Sequence, residues 1–423
     1  MIHPDTAVLE KIVEKVGTPV MVYDEDLLRA KLTTYVTNLK SDMFDTKVLY
    51  ASKSFICKEM AKLAMECGTG FDAVSGGEVQ CLKEAGAKAE MVYFHGNNKT
   101  YAEVCEFFDF GTGHIVVDNA DELTLITKVA DEKKVPMNIL IRVNPGVEAH
   151  THEFIQTATK DSKFGISIDY KDGIKAMLDI IEASEYLKFK GFHAHIGSQI
   201  FEADAFEGEI AVMAAFIDEV QKLWGITVEE LDLGGGFAIK FTDADNPMPV
   251  EEVCERIIAA CEREITERKL SLNLICIEPG RSIAGDLGHT IYSAGCRKKT
   301  ASKEFLFIDG GMADNIRPAL YDAEYCCTNL SKEDKPADTN YVIAGKCCES
   351  GDIIIKNALL PETEPGDLIL VYSTGAYGYS MASNYNKLGK PPVVFVSGEN
   401  ARLVLRRETY ADLLALETEE NIF

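Results

Sequence analysis

The sequence predicts an α/β fold, a (β/α)8 TIM barrel plus a C-terminal antiparallel β domain of sandwich or barrel-like form. Three observations predict it. Eight short, nearly continuous apolar runs lie between residues 48 and 281, separated by intervals long enough for one helix each. Each run stops at residues able to do chemistry. After Arg281 the alternation with helices ceases, and strand-like runs succeed one another through Gly, Asp, Pro and Ser punctuation.

The elements follow in order. Thr6 to Val16 has a helical period and closes at Gly17, and Pro19-Val20-Met21-Val22-Tyr23 reads as a strand preceding the barrel units. The barrel strands are then Val48-Leu49-Tyr50-Ala51-Ser52-Lys53, Gly70-Phe71-Asp72, Val92-Tyr93-Phe94-His95-Gly96, Ile115-Val116-Val117-Asp118 and Ile139-Leu140-Ile141-Arg142-Val143-Asn144. Three more follow, Phe192-His193-Ala194-His195-Ile196-Gly197-Ser198, Leu231-Asp232-Leu233-Gly234-Gly235-Gly236-Phe237 and Ile277-Glu278-Pro279-Gly280-Arg281. Uninterrupted apolar runs mark strands buried on both faces, and the amphipathic stretches between them supply crossover helices of a parallel sheet. A barrel of this kind builds its site at the C-terminal ends of its strands, so Lys53, Asp72, His95, Arg142, His195, Gly236 and Glu278 are expected at one mouth. Beyond it, Phe305-Leu306-Phe307-Ile308-Asp309, Tyr341-Val342-Ile343-Ala344, Leu368-Ile369-Leu370-Val371-Tyr372 and Val393-Val394-Phe395-Val396 read as strands of the β domain, with Ser331 to Thr339 a charged surface loop. The expected partition is 25–283 for the barrel, with 1–24 and 284–423 forming the β domain.

Composition bounds the function. A chain of 423 residues exceeds what one core usually supports, which agrees with two domains. With no apolar run of 18 residues and no basic-then-apolar N-terminus, neither a membrane span nor a secretory signal is expected. Twelve cysteines without a C-x-x-C pair or a regular framework point to reduced thiols in the cytoplasm. A net charge of −25 without clustered Lys or Arg argues against nucleic acid.

Chemistry enters at strand one. Most lysines are solvated, but one at a barrel mouth has a pKa lowered by partial burial, and its amine can form a Schiff base with a carbonyl. Barrels often hold phosphate in the loops after strands seven and eight, where Gly234-Gly235-Gly236 and Gly280 fall. A glycine triplet by itself is equally a tight turn. Combined with Lys53 it points to a phosphorylated carbonyl cofactor, pyridoxal 5'-phosphate. A pyridine nitrogen needs an acidic partner if the ring is to act as a full electron sink, and Glu278 can supply it. His195 can lie flat against the ring. The His193-Ala194-His195 spacing is also that of a metal-binding barrel hydrolase, but such enzymes carry the pair on an early strand, and no metal is expected here.

Six motifs in order, Tyr50-Ala51-Ser52-Lys53, His193-Ala194-His195-Ile196-Gly197-Ser198, Gly234-Gly235-Gly236-Phe237, Glu278-Pro279-Gly280-Arg281, Cys348-Glu349-Ser350-Gly351-Asp352 and Gly375-Ala376-Tyr377-Gly378, resemble those of the pyridoxal-phosphate-dependent amino-acid decarboxylases with an alanine-racemase-type barrel. The resemblance runs from about Thr18 to Tyr410. It implies that Lys53 carries the cofactor, that His195 stacks on the ring and that Glu278 partners the ring nitrogen. Asp72, Arg142, Ser198, Gly236, Gly280, Arg281 and Tyr377 are then cofactor contacts. Arg281, Arg317, Tyr321, Glu349 and Tyr377 match substrate-binding positions. Cys348 becomes the proton donor, reaching with Glu349 into the site of a second subunit, so an obligate homodimer with shared sites is expected. A thiol with pKa about 8.5 is mostly protonated at neutral pH, which suits that role. Cys347-Cys348 can equally be read as buried thiols of a strand.

Substrate choice rests on the distal end. Glu349 can hold a far ammonium, while Arg317 and Arg281 offer bidentate partners for carboxylate. A second amino-acid head, as in meso-2,6-diaminopimelate, fits that set, with lysine and carbon dioxide as products. The alternatives are decarboxylation of another basic amino acid (ornithine, lysine, arginine or carboxynorspermidine type), racemisation, which the Glu278 loop disfavours, and cofactor binding without turnover. The sequence departs from the family at Ser54-Phe55, where Ala-Asn is more common, and at Cys347, where a bulkier apolar residue or proline is usual.

Overall fold

The computed structural model describes residues 2–146 and 162–423. The chain divides into two compact units, one formed by residues 29–239 and 246–282, the other by Met1–Leu28, Lys240–Asp245 and Ile283–Phe423.

The first unit is a closed parallel barrel. Its eight strands are Asp45–Ala51, Gly70–Ala73, Val92–Phe94, His114–Val117, Met137–Asn144, Leu187–His193, Glu230–Asp232 and Leu274–Ile277. Each pairs in parallel with the next, and Leu274–Ile277 closes the ring against the first, with Ile277 opposite Val48. All eight apolar runs of the sequence are therefore barrel strands. The interior is filled, not open: Leu49, Tyr93, Val116, Leu140 and Cys276 form a cluster with almost no exposure.

The helices are fixed by patterning and caps. In Lys171–Ala183 the buried residues are Ile174, Met177, Leu178 and Ile181, one apolar stripe at helical spacing. Burying each of these side chains contributes roughly 1.5–3 kcal/mol, so a charge at Ile181 would undo most of that contact. Tyr101–Phe110 opens with a capping box in which Thr100 and Glu103 satisfy each other's backbone amides. Among the described residues, no helix is long and apolar enough to cross a membrane.

The second unit begins with helix Thr6–Val16, capped by Asp5 and ending at Gly17, and strand Val20–Asp24. Its sheet runs Ile353–Leu360, Thr339–Ala344, Glu304–Ile308, Gly288–Lys299, Val20–Asp24, Val393–Ser397 and Asn400–Leu405, with Leu368–Val371 pairing both Gly288–Lys299 and Cys327–Asn329. Six of the pairings are antiparallel, in line with the expectation of an antiparallel domain. Two are parallel, Val20–Asp24 with Val393–Ser397 and Glu304–Ile308 with Thr339–Ala344, so the sheet is mixed. The partners of each parallel pair are far enough apart in sequence for the chain to return and enter from the same end. Two apolar cores flank this sheet, one around Tyr292, Leu306, Ile343 and Ile369, the other around Leu9, Val20, Ile291 and Leu370.

Candidate active site

Lys53 sits in the tight turn Ser52–Ser54 directly after the first barrel strand, which carries its amine to the C-terminal end of the barrel. Its Nζ donates to Asp72 Oδ2 at 2.9 Å, and Asp72 is fully buried on strand two. The lysine side chain is 40% exposed. The pair therefore positions an accessible amine more than it stabilises the fold.

From Asp72 the polar contacts continue inward. Asp72 Oδ1 lies 3.8 Å from His95 Nε2, which lies 2.7 Å from Glu278 Oε1. Glu278 Oε2 faces His193 Nε2 at 3.4 Å. One connected row, Lys53, Asp72, His95, Glu278 and His193, thus joins the ends of strands one, two, three, eight and six. Burial pushes the His193 ring down to about 4, so it meets Glu278 as a neutral N–H donor. Burial opposes the Glu278 charge too, but His95 and His193 outweigh it and hold the carboxyl well below its usual range. Glu278 is an anion, buried and held by two imidazoles.

The glycine loops lie beside it. Gly236 has φ +107, and a Cβ there would stand 2.3 Å from the Gly197 carbonyl oxygen; at Gly235 a Cβ would stand 2.1 Å from that of Glu278. The loops after strands six, seven and eight therefore pack backbone on backbone, an approach that only glycine allows. His195 Nδ1 accepts the Gly235 amide at 3.2 Å. Burial, followed by Lys53 and Arg142, pushes the His195 ring well below its ordinary value, so the ring is neutral. His193 and His195 thus serve different partners. Arg281 donates to Ser198 Oγ through a terminal nitrogen at 2.8 Å and through Nε at 3.3 Å, and Gly280 packs tightly against Ala51. The Arg142 guanidinium lies 4.5 Å from the Phe164 ring centre. Burial pulls its pKa down against the charges of Asp118, Glu278, Asp72 and Asp232.

These features fit pyridoxal phosphate. The Lys53 amine would carry its carbonyl, the glycine turn with Ser198 and Arg281 would seat its phosphate, and the anionic Glu278 would partner its ring nitrogen.

The other predicted residues lie in the second unit. Arg317 donates to Tyr325 Oη at 2.9 Å, and its guanidinium stands 5.5 to 5.7 Å from the ring centres of Tyr321, Phe241 and Tyr377. Three predicted substrate or cofactor residues, Arg317, Tyr321 and Tyr377, are thereby brought together. Cys347 and Cys348 point apart. Cys347 is buried, its amide donates to Asp352 Oδ2 at 2.7 Å, and burial raises its thiol to about 11. Cys348 is exposed; its amide donates to Asn386 Oδ1 at 2.8 Å and its carbonyl accepts from Tyr385 Oη at 3.3 Å. Glu349 is exposed on the same loop.

Sequence reasoning left three residues of this site without a role. His95 was expected at the mouth but not as the Glu278 partner, which only the closed barrel reveals. Asp232 is a charged residue inside an apolar run, a signal present in the sequence. Glu78 takes the Val74 amide at 2.7 Å and is raised to about 7 by burial and Asp72, with nothing in its local sequence to mark it.

Residues 26–285 match the model of the pyridoxal-binding domain of pyridoxal-dependent decarboxylases, and residues 284–375 match that of their C-terminal sheet domain. The chain is 43% identical over 412 residues to a diaminopimelate decarboxylase of Staphylococcus aureus, covering 97% of this chain and 96% of that one. It is 42% identical over 402 residues to a diaminopimelate decarboxylase of Halalkalibacterium halodurans, covering 95% and 91%. Among solved structures it resembles the diaminopimelate decarboxylase of M. jannaschii in complex with L-lysine, with a TM-score of 0.90, 31% identity and coverage of 98% and 94%.

Proposed function

The chain belongs to the pyridoxal-dependent decarboxylase family, and from that premise we propose that it decarboxylates meso-2,6-diaminopimelate to L-lysine and carbon dioxide, the last step of lysine biosynthesis. The observation that carries the reading is the row from the Lys53 amine through Asp72 and His95 to the anionic Glu278. An accessible amine and a buried carboxylate at opposite ends of one polar row are what a pyridine aldehyde cofactor requires.

Bound pyridoxal phosphate supplies a sink for the electron pair left when carbon dioxide departs. The chain supplies the rest. Lys53 would hold the cofactor through its amine, which Asp72 keeps in place at 2.9 Å. Glu278 keeps a proton on the ring nitrogen, and His195 covers the ring face. Ser198, Gly236, Gly280 and Arg281 take the phosphate end, with Arg142 and Tyr377 as further cofactor contacts. Arg281, Arg317, Tyr321, Tyr377 and Glu349 select the substrate's charged groups. The Cys348 thiol delivers a proton to the α carbon after carbon dioxide has left.

Cys348 and Glu349 stand on an exposed loop of the second unit, and this supports a homodimer in which each copy completes the other's site. All twelve cysteines are free, which agrees with a reducing cytoplasm.

The test is a substrate panel. The purified chain, supplied with pyridoxal phosphate, is offered meso-diaminopimelate, ornithine, lysine and arginine in turn, and carbon dioxide and product amine are measured. Lysine from meso-diaminopimelate, with the other three turned over far more slowly, is the expected result; preferential turnover of ornithine, lysine or arginine would overturn the substrate assignment.

A further inference from the structure

Asp232 ends the seventh barrel strand, immediately before the Leu233-Gly234-Gly235-Gly236 turn, and it is fully buried. Its Oδ1 accepts the Gly234 amide at 2.9 Å, while Oδ2 has no partner that donates to it. One polar atom from each of Asp232, Glu278, His95 and His193 lies within 4.8 Å of the corresponding atoms of the other three. Two carboxyl groups are therefore buried side by side, and two buried negative charges at such range are not both sustained. The surroundings decide which one keeps its proton. Two imidazoles face Glu278, His95 Nε2 standing 2.7 Å from Oε1 as an ion-pair neighbour without hydrogen-bond geometry and His193 Nε2 3.4 Å from Oε2, whereas Asp232 has only a backbone amide on one oxygen.

We propose that Asp232 is the protonated member of this pair, donating its Oδ2–H to Glu278, and that it acts as a positioning residue tying the Glu278 carboxylate to the glycine turn. The role of Glu278 as ring-nitrogen partner is taken from the functional reading above; the proton assignment is independent of it. The charges around the pair agree. Burial and Glu278 push the Asp232 carboxyl well above its usual range. Arg142 feels Glu278, Asp72 and Asp232 together, Glu230 lies on the same strand as Asp232, and Glu209, buried on helix Ala203–Trp224, also feels Glu278. One proton thus serves two carboxyls. It keeps the anion on the residue facing the ring without a net second charge, and it links the phosphate cradle rigidly to the ring-nitrogen end.

Infrared spectroscopy on the purified full chain, at neutral pH and before any cofactor is added, reads the proton directly. The carbonyl band of a protonated carboxylic acid is expected in wild type and in Glu278→Gln, and a component of it should vanish in Asp232→Asn. Glu209 is itself buried without a hydrogen-bond partner and raised well above its usual range, so Glu209→Gln identifies its separate component. A spectrum unchanged by Asp232→Asn, or a band lost in Glu278→Gln instead, would overturn the assignment. The positioning role is read in pyridoxal phosphate affinity. Asn keeps a donor toward Glu278 and an acceptor for Gly234, so Asp232→Asn should hold affinity within about threefold, while Asp232→Ala should weaken it about tenfold or more. Equal affinities for the two variants would refute the positioning role. Should the chain decarboxylate nothing in the panel above, the infrared result still stands or falls by itself.

Discussion

Gly235→Ala probes the point where the cradle and Glu278 share backbone. The added methyl would stand 2.1 Å from the Glu278 carbonyl oxygen and 3.0 Å from its carbonyl carbon, both main-chain atoms that no rotamer change can move aside. The Glu278 amide also donates to the Gly234 carbonyl at 2.7 Å, so relief requires strands seven and eight to part by about 1 Å at their ends. Overpacking of this kind costs about 1–3 kcal/mol, and at about 2–4 °C per kcal/mol for a unit of this size the melting temperature should fall by roughly 2–12 °C. The larger effect is on function. A displacement of about 1 Å in a positioned catalytic group costs on the order of 100-fold in rate, so kcat on meso-diaminopimelate should drop by one to two orders of magnitude, with weaker cofactor binding. Gly225→Ala is the matched control. Gly225 closes helix Ala203–Trp224 with φ +67 and nothing within 4 Å of an added Cβ, so that variant loses about 1 kcal/mol of stability and keeps its turnover. Calorimetry and steady-state kinetics on both variants settle the matter: a Gly235→Ala enzyme within twofold of wild type would refute the claim that this close approach sets the site.

The two adjacent thiols should separate cleanly. Cys348→Ala should lose about 100-fold or more in kcat as a proton donor is removed, while Cys347→Ser, altering a buried thiol, should stay within a few-fold; the reverse order in steady-state kinetics would place the wrong sulfur at the substrate. Asn386 holds the Cys348 amide from a left-handed backbone with φ +54. Asn386→Gly keeps that conformation and removes the acceptor, so a fall of about fivefold in kcat with KM little changed is expected, and unchanged kcat would show that the loop needs no such hold. Stability should also depend on His289, whose ring is pushed down to about 3 by burial and then His3, and whose Nδ1 accepts the Ser373 amide. The folded state binds fewer protons than the unfolded one between pH 3 and 6.5, so this group's contribution is complete above about 6.5 and is lost as pH falls toward 3. His289→Asn should flatten that limb of a denaturant-midpoint profile by up to a few kcal/mol; an unchanged slope would mean the ring is not buried neutral.

The barrel was legible because a doubly buried parallel strand writes itself as an apolar run, and the eight runs fall on the eight paired strands. Helix Thr6–Val16 was legible from its period and its closing Gly17, both local signals. The second sheet was harder. Gly288–Lys299 alternates weakly and becomes exposed over its last residues, Asn400–Leu405 is exposed along most of its length, and the parallel pairing of Val20–Asp24 with Val393–Ser397 joins the two ends of the chain. No local pattern encodes a contact of that range. In the site, Lys53, Glu278 and the glycines were visible as residue types at strand ends, whereas the approach of His95 and Asp232 to Glu278 arises from barrel closure. The outward turn of Cys348 and the inward turn of Cys347 depend on Asp352 and Asn386, one of them 38 residues away.

Subunit mixing tests the account most directly. Lys53→Ala and Cys348→Ala chains, each inactive or nearly so, are unfolded together, refolded as a mixture and assayed for lysine released from meso-diaminopimelate. If each site takes Lys53 from one copy and Cys348 from the other, random pairing leaves about one site in four with both residues intact, and roughly a quarter of wild-type turnover should return. A refolded, dimeric mixture no more active than its two components would contradict a site shared between copies.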